Sequence, residues 1–155
     1  MKRVYHTSTL LSIVGRRLLQ AQQQQAPHNR VTKSISYALR SLAKMATYEE
    51  IKDVPNHPEV YLIDVRNKDE LASTGAIPAS INIPLPELEA AFKMPDNDFK
   101  TNFNRPKPTE ETVLIFSCLK GGRAQKAADM AVEKGFKNAK PYPGSWTEWA
   151  QKEGL

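Results

Sequence analysis

The sequence predicts an α/β domain with a mostly parallel central sheet flanked by helices. Three observations lead there. The apolar runs 60–63 and 113–117 read as buried strands, and each is followed by a stretch with helical spacing. Strands alternating with helices imply parallel pairing. A length of 155 residues, 40% hydrophobic and 25% charged, suits one ordinary globular domain.

The elements start late in the chain. Residues 1–44 hold Lys2, Arg3, Arg16, Arg17, Arg30, Lys33, Arg40 and Lys44 and no acid. All 17 acidic residues lie from Glu49 onward, against the 14 remaining basic ones. The net charge of +5 therefore belongs to the arm. Leu10, Leu11, Val14 and Leu18 fall near one helical face beside Arg16 and Arg17, and Ile35, Leu39 and Leu42 repeat the pattern around Arg40. A basic, acid-free arm of this kind has the composition of a mitochondrial transit peptide. We expect residues 1–44 to address a domain at 45–155 to the mitochondrial matrix, whereas initiation at Met45 would give a cytosolic protein. The arm lacks the interleaved aromatics that stacking on nucleic acid uses. No apolar run approaches the roughly 20 residues needed to span a bilayer. Neither nucleic acid nor a membrane is expected as a partner, and the oligomeric state stays open.

Residues 48–54 read as a short helix capped by Thr47. A strand at 60–63 ends at Asp64. Residues 67–73 look helical, with Gly75 placed to end the helix. A strand at 80–83 precedes Pro84, and Leu85, Leu88 and Phe92 give 85–94 helical spacing. Residues 95–111 are polar and proline-rich, with room for one helical turn at 98–103. Residues 113–117 form the strongest strand. Ala124, Ala127, Ala128, Ala131 and Val132 mark one face of the next helix, which Gly135 ends. Residues 139–142 read as an edge strand. Ser145, with Glu148 three residues on, reads as the capping box of a last helix at 145–152.

The chemistry concentrates at Cys118, the one cysteine of the chain. A single thiol excludes an internal disulfide framework and a Cys-based zinc site, and no second thiol of this chain can resolve it once oxidised. Cys118 stands at a strand-to-helix turn, where loop amides and a helix N-terminus hold negative charge. Gly121 and Gly122 remove side chains where amides would approach an anion. Lys120 and Arg123 bring cations near the sulfur. No Walker-type phosphate loop occurs. Cysteine phosphatases use Cys-x5-Arg, whereas Cys118 to Arg123 is Cys-x4-Arg, a ring too small for phosphate and suited to one sulfur atom on Cys118. No histidine makes a dyad with Cys118: His6 and His28 fall in the arm and His57 between two prolines. Asp64 and Cys118 both lie at strand carboxyl ends, where such sheets bind ligands.

The segment Cys118-Leu119-Lys120-Gly121-Gly122-Arg123 resembles the six-residue active-site loop of the rhodaneses, the thiosulfate sulfurtransferases. Residues 62–66 (Leu-Ile-Asp-Val-Arg) with Glu70, 75–84 (Gly-Ala-Ile-Pro-Ala-Ser-Ile-Asn-Ile-Pro) and 144–149 (Gly-Ser-Trp-Thr-Glu-Trp) match further family segments in order. The likeness spans about 47–153 and is greatest to the small single-domain rhodaneses of animals, including the insect heat-shock-locus type. Ala76 replaces the family's usual His, Ala79-Ser80 its Gly-Ala, and Ala124 a frequent Ser.

The resemblance implies a rhodanese-like fold and a ping-pong reaction. Cys118 takes the outer sulfur of thiosulfate as a persulfide, and glutathione, thioredoxin or cyanide then accepts it. It implies that the amides of 119–123 cradle the persulfide, that Lys120 meets the anionic donor, and that Trp146 lines the entrance. Trp149 is assigned to the core. Arg123 is left either binding substrate or fixing the loop, with Asp64 its expected partner, and Arg66 is expected to pair locally with Glu70. No cofactor or metal is implied. The competing expectation is a non-catalytic persulfide carrier or protein-docking module.

Overall fold

The computed structural model describes residues 45–155, so the arm expected to carry an address lies outside the described residues. Four strands, β1 (Tyr61–Asp64), β2 (Ser80–Asn82), β3 (Leu114–Ser117) and β4 (Ala139–Pro141), form a sheet in the order β2-β1-β3-β4. Every neighbouring pair is parallel. Among the described residues α1 (Tyr48–Asp53) precedes the sheet, α2 (Lys68–Thr74), α3 (Leu88–Lys93), α4 (Asp96–Phe103) and α5 (Gly122–Glu133) fill the connections between strands, and α6 (Ser145–Glu153) follows it.

The strands alternate between two apolar layers, as a pleated backbone requires. Tyr61 and Ile63 of β1 and Leu114 and Phe116 of β3 face one layer, with Leu88, Ala91 and Phe92 of α3, Phe99 of α4 and the alanines of α5. Leu62 and Ile115 face the other, with Ile51 of α1, Tyr142, and Trp146 and Trp149 of α6. Both central strands are thus buried on both faces, which is why they read as unbroken apolar runs. Trp149 lies in the core as expected. Ala124, Ala127, Ala128 and Ala131 seat α5 on the sheet, but Val132 is 47% exposed and lies off that contact.

Local signals place most boundaries within a residue or two. Thr47 caps α1 with the Thr47–Glu50 capping box. Segment 85–94 divides into a 3-10 turn, Leu85–Glu87, and α3, because Pro86 sits in the first turn and donates no backbone N–H. The single turn expected at 98–103 is a full helix, α4. Asp96 and Asp98 suit its positive N-terminal end, and Phe99 anchors it in the core.

The register brings the site together. β1 and β3 lie side by side with Asp64 opposite Ser117, so both chains leave the sheet at the same edge. The Val65 N–H donates to the Ser117 carbonyl at 2.9 Å, continuing the ladder to the threshold of Cys118. On the far side of β1, the Asn82 amide donates to the carbonyls of Asp64 at 2.9 Å and Arg66 at 2.8 Å, pinning the turn after the strand.

Candidate active site

Cys118 is the first residue beyond β3 and is only 2% exposed. The chain turns over its sulfur and enters α5 at Gly122. The Gly121 N–H donates to Cys118 Sγ at 3.0 Å. Burial pushes the thiol up, but the amides of Ala124, Lys120 and Gly121 and the Ser145 hydroxyl outweigh it and hold Cys118 below the usual thiol range. The amide of Ala124 belongs to the first turn of α5, so the helix N-terminus contributes directly.

The two glycines of the loop differ. Gly121 has φ +88, and a Cβ there would overlap the carbonyl of Pro143. Only glycine lets the backbone reach the sulfur along this path. At Gly122 a Cβ would meet nothing within 4 Å, so the expectation that both glycines clear room for amides holds in geometry only for Gly121.

Arg123, in the first turn of α5, does not pair with Asp64. Its two terminal nitrogens each donate to one carboxylate oxygen of Glu70, both at 2.6 Å. Glu70 Oε2 also accepts the Asn67 N–H at 3.1 Å, tying the start of α2 to the loop. The Arg123 guanidinium holds the Glu70 carboxyl at about 2, far below its ordinary 4.5. The local Arg66–Glu70 pair expected from their spacing is therefore absent.

Arg66 instead turns back on Asp64, and both side chains are fully buried. Its Nε lies 3.0 and 2.9 Å from the two Asp64 oxygens and its Nη2 2.6 Å from Oδ2. Its Nη1 also donates to Thr74 Oγ1 at 2.9 Å and its Nη2 to the Gly75 carbonyl at 3.0 Å. A buried charge persists where it is paired and hydrogen-bonded in this way. The Trp146 ring lies under the guanidinium, 5.0 Å from centroid to Cζ, and is 7% exposed. Trp146 meets the loop through its backbone, donating its N–H to the Cys118 carbonyl at 2.9 Å. Thr147 adds two bonds to the Leu119 carbonyl, from N at 3.1 Å and Oγ1 at 2.8 Å.

Lys120 is exposed and forms no ion pair among the described residues. The sequence places it beside the sulfur, and its ammonium is left to solvent or to a ligand.

Residues 47–152 match the family model for the rhodanese-like domain. The chain belongs to the rhodanese family. It is 56% identical over 111 residues to the rhodanese domain-containing protein CG4456 of Drosophila melanogaster, covering 72% of this chain and 100% of that one. It is 36% identical to the mitochondrial thiosulfate sulfurtransferase RDL2 of Saccharomyces cerevisiae, covering 72% and 75%. It is 34% identical to the thiosulfate:glutathione sulfurtransferase of Homo sapiens, covering 72% and 96%. The solved human single-domain sulfurtransferase TSTD1 superposes with a TM-score of 0.65 at 33% identity, over 70% of this chain and 96% of that one.

In this rhodanese the loop brings Cys118, Leu119, Lys120, Gly121, Gly122 and Arg123 together, while Asp64, Arg66 and Trp146 form a buried cluster tied to it through the Trp146 N–H on the Cys118 carbonyl. Two residues were not assigned these places by the sequence. Glu70 is the partner of Arg123. Ser145 is not the cap of α6, since Gly144 holds that position without any side-chain bond. The Ser145 hydroxyl instead accepts the Cys118 N–H at 3.1 Å. Both residues sit inside segments that match the family, which was the available signal. Such an arrangement can hold a sulfur anion at Cys118 without a neighbouring base.

Proposed function

We propose that this rhodanese is a thiosulfate sulfurtransferase whose nucleophile is Cys118. The Cys118 thiolate attacks the outer sulfur of thiosulfate, the sulfur–sulfur bond of the donor breaks, and sulfite leaves with its electron pair. An external thiolate, that of glutathione or thioredoxin, or cyanide, then attacks the outer sulfur of the Cys118 persulfide and expels the Cys118 thiolate. The observation that carries this reading is the ring of amides around a buried sulfur at the head of α5, closed in four residues between Cys118 and Arg123. Donors fixed in advance favour charge on sulfur in both half-reactions. The names of the yeast and human relatives support the donor and the glutathione acceptor. The acceptor comes from outside because no second cysteine exists in the chain.

In this reading Lys120 attracts the dianionic donor. Arg123 fixes the loop rather than the substrate, because both of its terminal nitrogens already bind Glu70. Asp64 and Arg66 brace the floor of the site, and Trp146 locks the Cys118 carbonyl. Residues 1–44 deliver the domain at 45–155 to the mitochondrial matrix, a reading that the composition of the arm and the name of the yeast relative support. A 1–44 reporter fusion should enter mitochondria. A purely cytosolic signal would favour initiation at Met45.

The reaction is tested by a matrix of donors (thiosulfate, glutathione persulfide) against acceptors (cyanide, glutathione, thioredoxin, sulfite). Turnover from thiosulfate to a thiol is expected. Sulfur uptake without turnover on any acceptor would make the domain a carrier instead.

A further inference from the structure

Ser145 opens α6 with φ +50, the left-handed region that penalises a residue with a side chain. It is fully buried. Strain of this kind persists where the surroundings demand it, and the surroundings here are three polar groups. The Cys118 N–H donates to Ser145 Oγ at 3.1 Å, while Oγ lies 2.8 Å from the Tyr142 carbonyl oxygen and 3.7 Å from Cys118 Sγ. A hydroxyl has one proton to donate, so these two acceptors compete for it. Beside a neutral thiol, the nearer carbonyl is the better acceptor. Beside a charged sulfur the preference reverses, because hydrogen bonds to ionised acceptors are about twice as strong.

We propose that Ser145 is a positioning residue for Cys118, its hydroxyl proton lying on the Tyr142 carbonyl while the sulfur is neutral and turning to the sulfur when it carries charge. The proposal rests on the reading of Cys118 as the nucleophile and extends it. In the second half-reaction the Cys118 sulfur leaves the persulfide as a thiolate, and Ser145 meets that charge from the side of α6 while Gly121 meets it from the loop. No covalent bond to the hydroxyl proton breaks. The strained backbone is what aims Oγ at all three groups.

The charged groups around Cys118 come from other elements. Arg123 of α5, itself raised chiefly by Glu70 and also by the Cys118 and Asp64 charges, is tied to Glu70 of α2. Asp64 at the end of β1 is paired with Arg66, and Lys120 lies on the loop. On α6, Glu148 pairs with Lys152. None of these ion pairs includes Ser145, so its contribution can be read separately.

Two measurements on the sulfur-free full chain test the proposal. The first follows alkylation of Cys118 by iodoacetamide against pH in wild type, Ser145→Ala and Ser145→Gly. The glycine variant relieves the positive φ but lacks the hydroxyl. Both variants should show the alkylation midpoint raised by about half to one pH unit, which is roughly three- to tenfold less thiolate below the midpoint. The second uses wild type alone and follows the Tyr142 carbonyl carbon by nuclear magnetic resonance through the same titration. Its resonance should shift with the thiolate absorbance, because the carbonyl loses its hydroxyl donor as the sulfur ionises. A wild-type midpoint in Ser145→Gly, or a Tyr142 carbonyl carbon that does not follow the thiolate, overturns the proposal. A wild type that passes both measurements yet takes no sulfur from thiosulfate would remove the sulfurtransferase reading and leave the Ser145 assignment standing.

Discussion

Glu70 and Arg123, 53 residues apart in the chain, meet as a two-point ion pair with both nitrogen–oxygen distances at 2.6 Å. The pair joins the start of α2 to the helix turn whose amides surround Cys118. Its side chains are 27% and 33% exposed, so water weakens it without dissolving it. Glu70→Gln should lower stability on the order of 1–2 kcal/mol at neutral pH. The Glu70 carboxyl is depressed in the folded protein to about 2 from 4.5, so this contribution is present above about pH 4.5 and lost as pH falls toward 2. Urea midpoints of wild type and variant should therefore differ at pH 7 and converge in acid.

The same pair separates two roles for Arg123. If it fixes the loop, Glu70→Gln and Arg123→Lys should both lower kcat by a similar factor with little change in the KM for thiosulfate. A KM effect confined to Arg123→Lys would show that the arginine meets the substrate.

Gly121 and Gly122 are adjacent but should respond oppositely. Gly121→Ala combines a φ of +88 with overlap on the Pro143 carbonyl, and should lose about 2–4 kcal/mol of stability together with most activity. Gly122→Ala adds a methyl in open space at the first position of α5 and should be neutral or gain a few tenths of a kcal/mol. Thermal unfolding of both variants checks the contrast.

Lys120 is exposed and without an ion-pair partner among the described residues, so its removal should cost the fold little. Lys120→Ala should raise the KM for thiosulfate by roughly three- to tenfold, within the range of one charge-assisted contact. A neutral persulfide donor should be less affected. Equal effects on both donors would return Lys120 to an ordinary solvated role.

Ala79 has φ +62 in the turn leading into β2, where the family segment carries glycine. The left-handed conformation costs a residue with a Cβ about 1–2 kcal/mol, partly offset by the larger entropy that glycine loses on folding. Ala79→Gly should therefore stabilise the protein by about 0.5–1 kcal/mol in equilibrium denaturation, without altering turnover.

The strands and most helices were legible because burial imposes a period on the sequence: unbroken apolar runs for β1 and β3, and spaced alanines for α5. Helix α4 was read as a single turn because only Phe99 and Phe103 are apolar in it, and its start depends on Pro95, Asp96 and Asp98 rather than on periodicity. The sulfur loop was readable as a contiguous motif with a countable spacing. Its supports were not. Four-residue spacing suggested an Arg66–Glu70 pair, but Arg66 folds back at the strand end onto Asp64, leaving Glu70 for an arginine brought by tertiary packing. Ser145 fits a capping-box pattern, yet its positive φ turns the hydroxyl away from the helix and toward Cys118.

In the proposed reaction Cys118 carries the transferred sulfur. Intact-protein mass spectrometry after incubation with thiosulfate tests it most directly, since the chain has one cysteine. Wild type should gain the mass of a single sulfur atom, lose it on addition of cyanide or glutathione, and show no gain as Cys118→Ser. An unmodified wild-type mass, or an adduct that survives in Cys118→Ser, would show that Cys118 does not carry the sulfur.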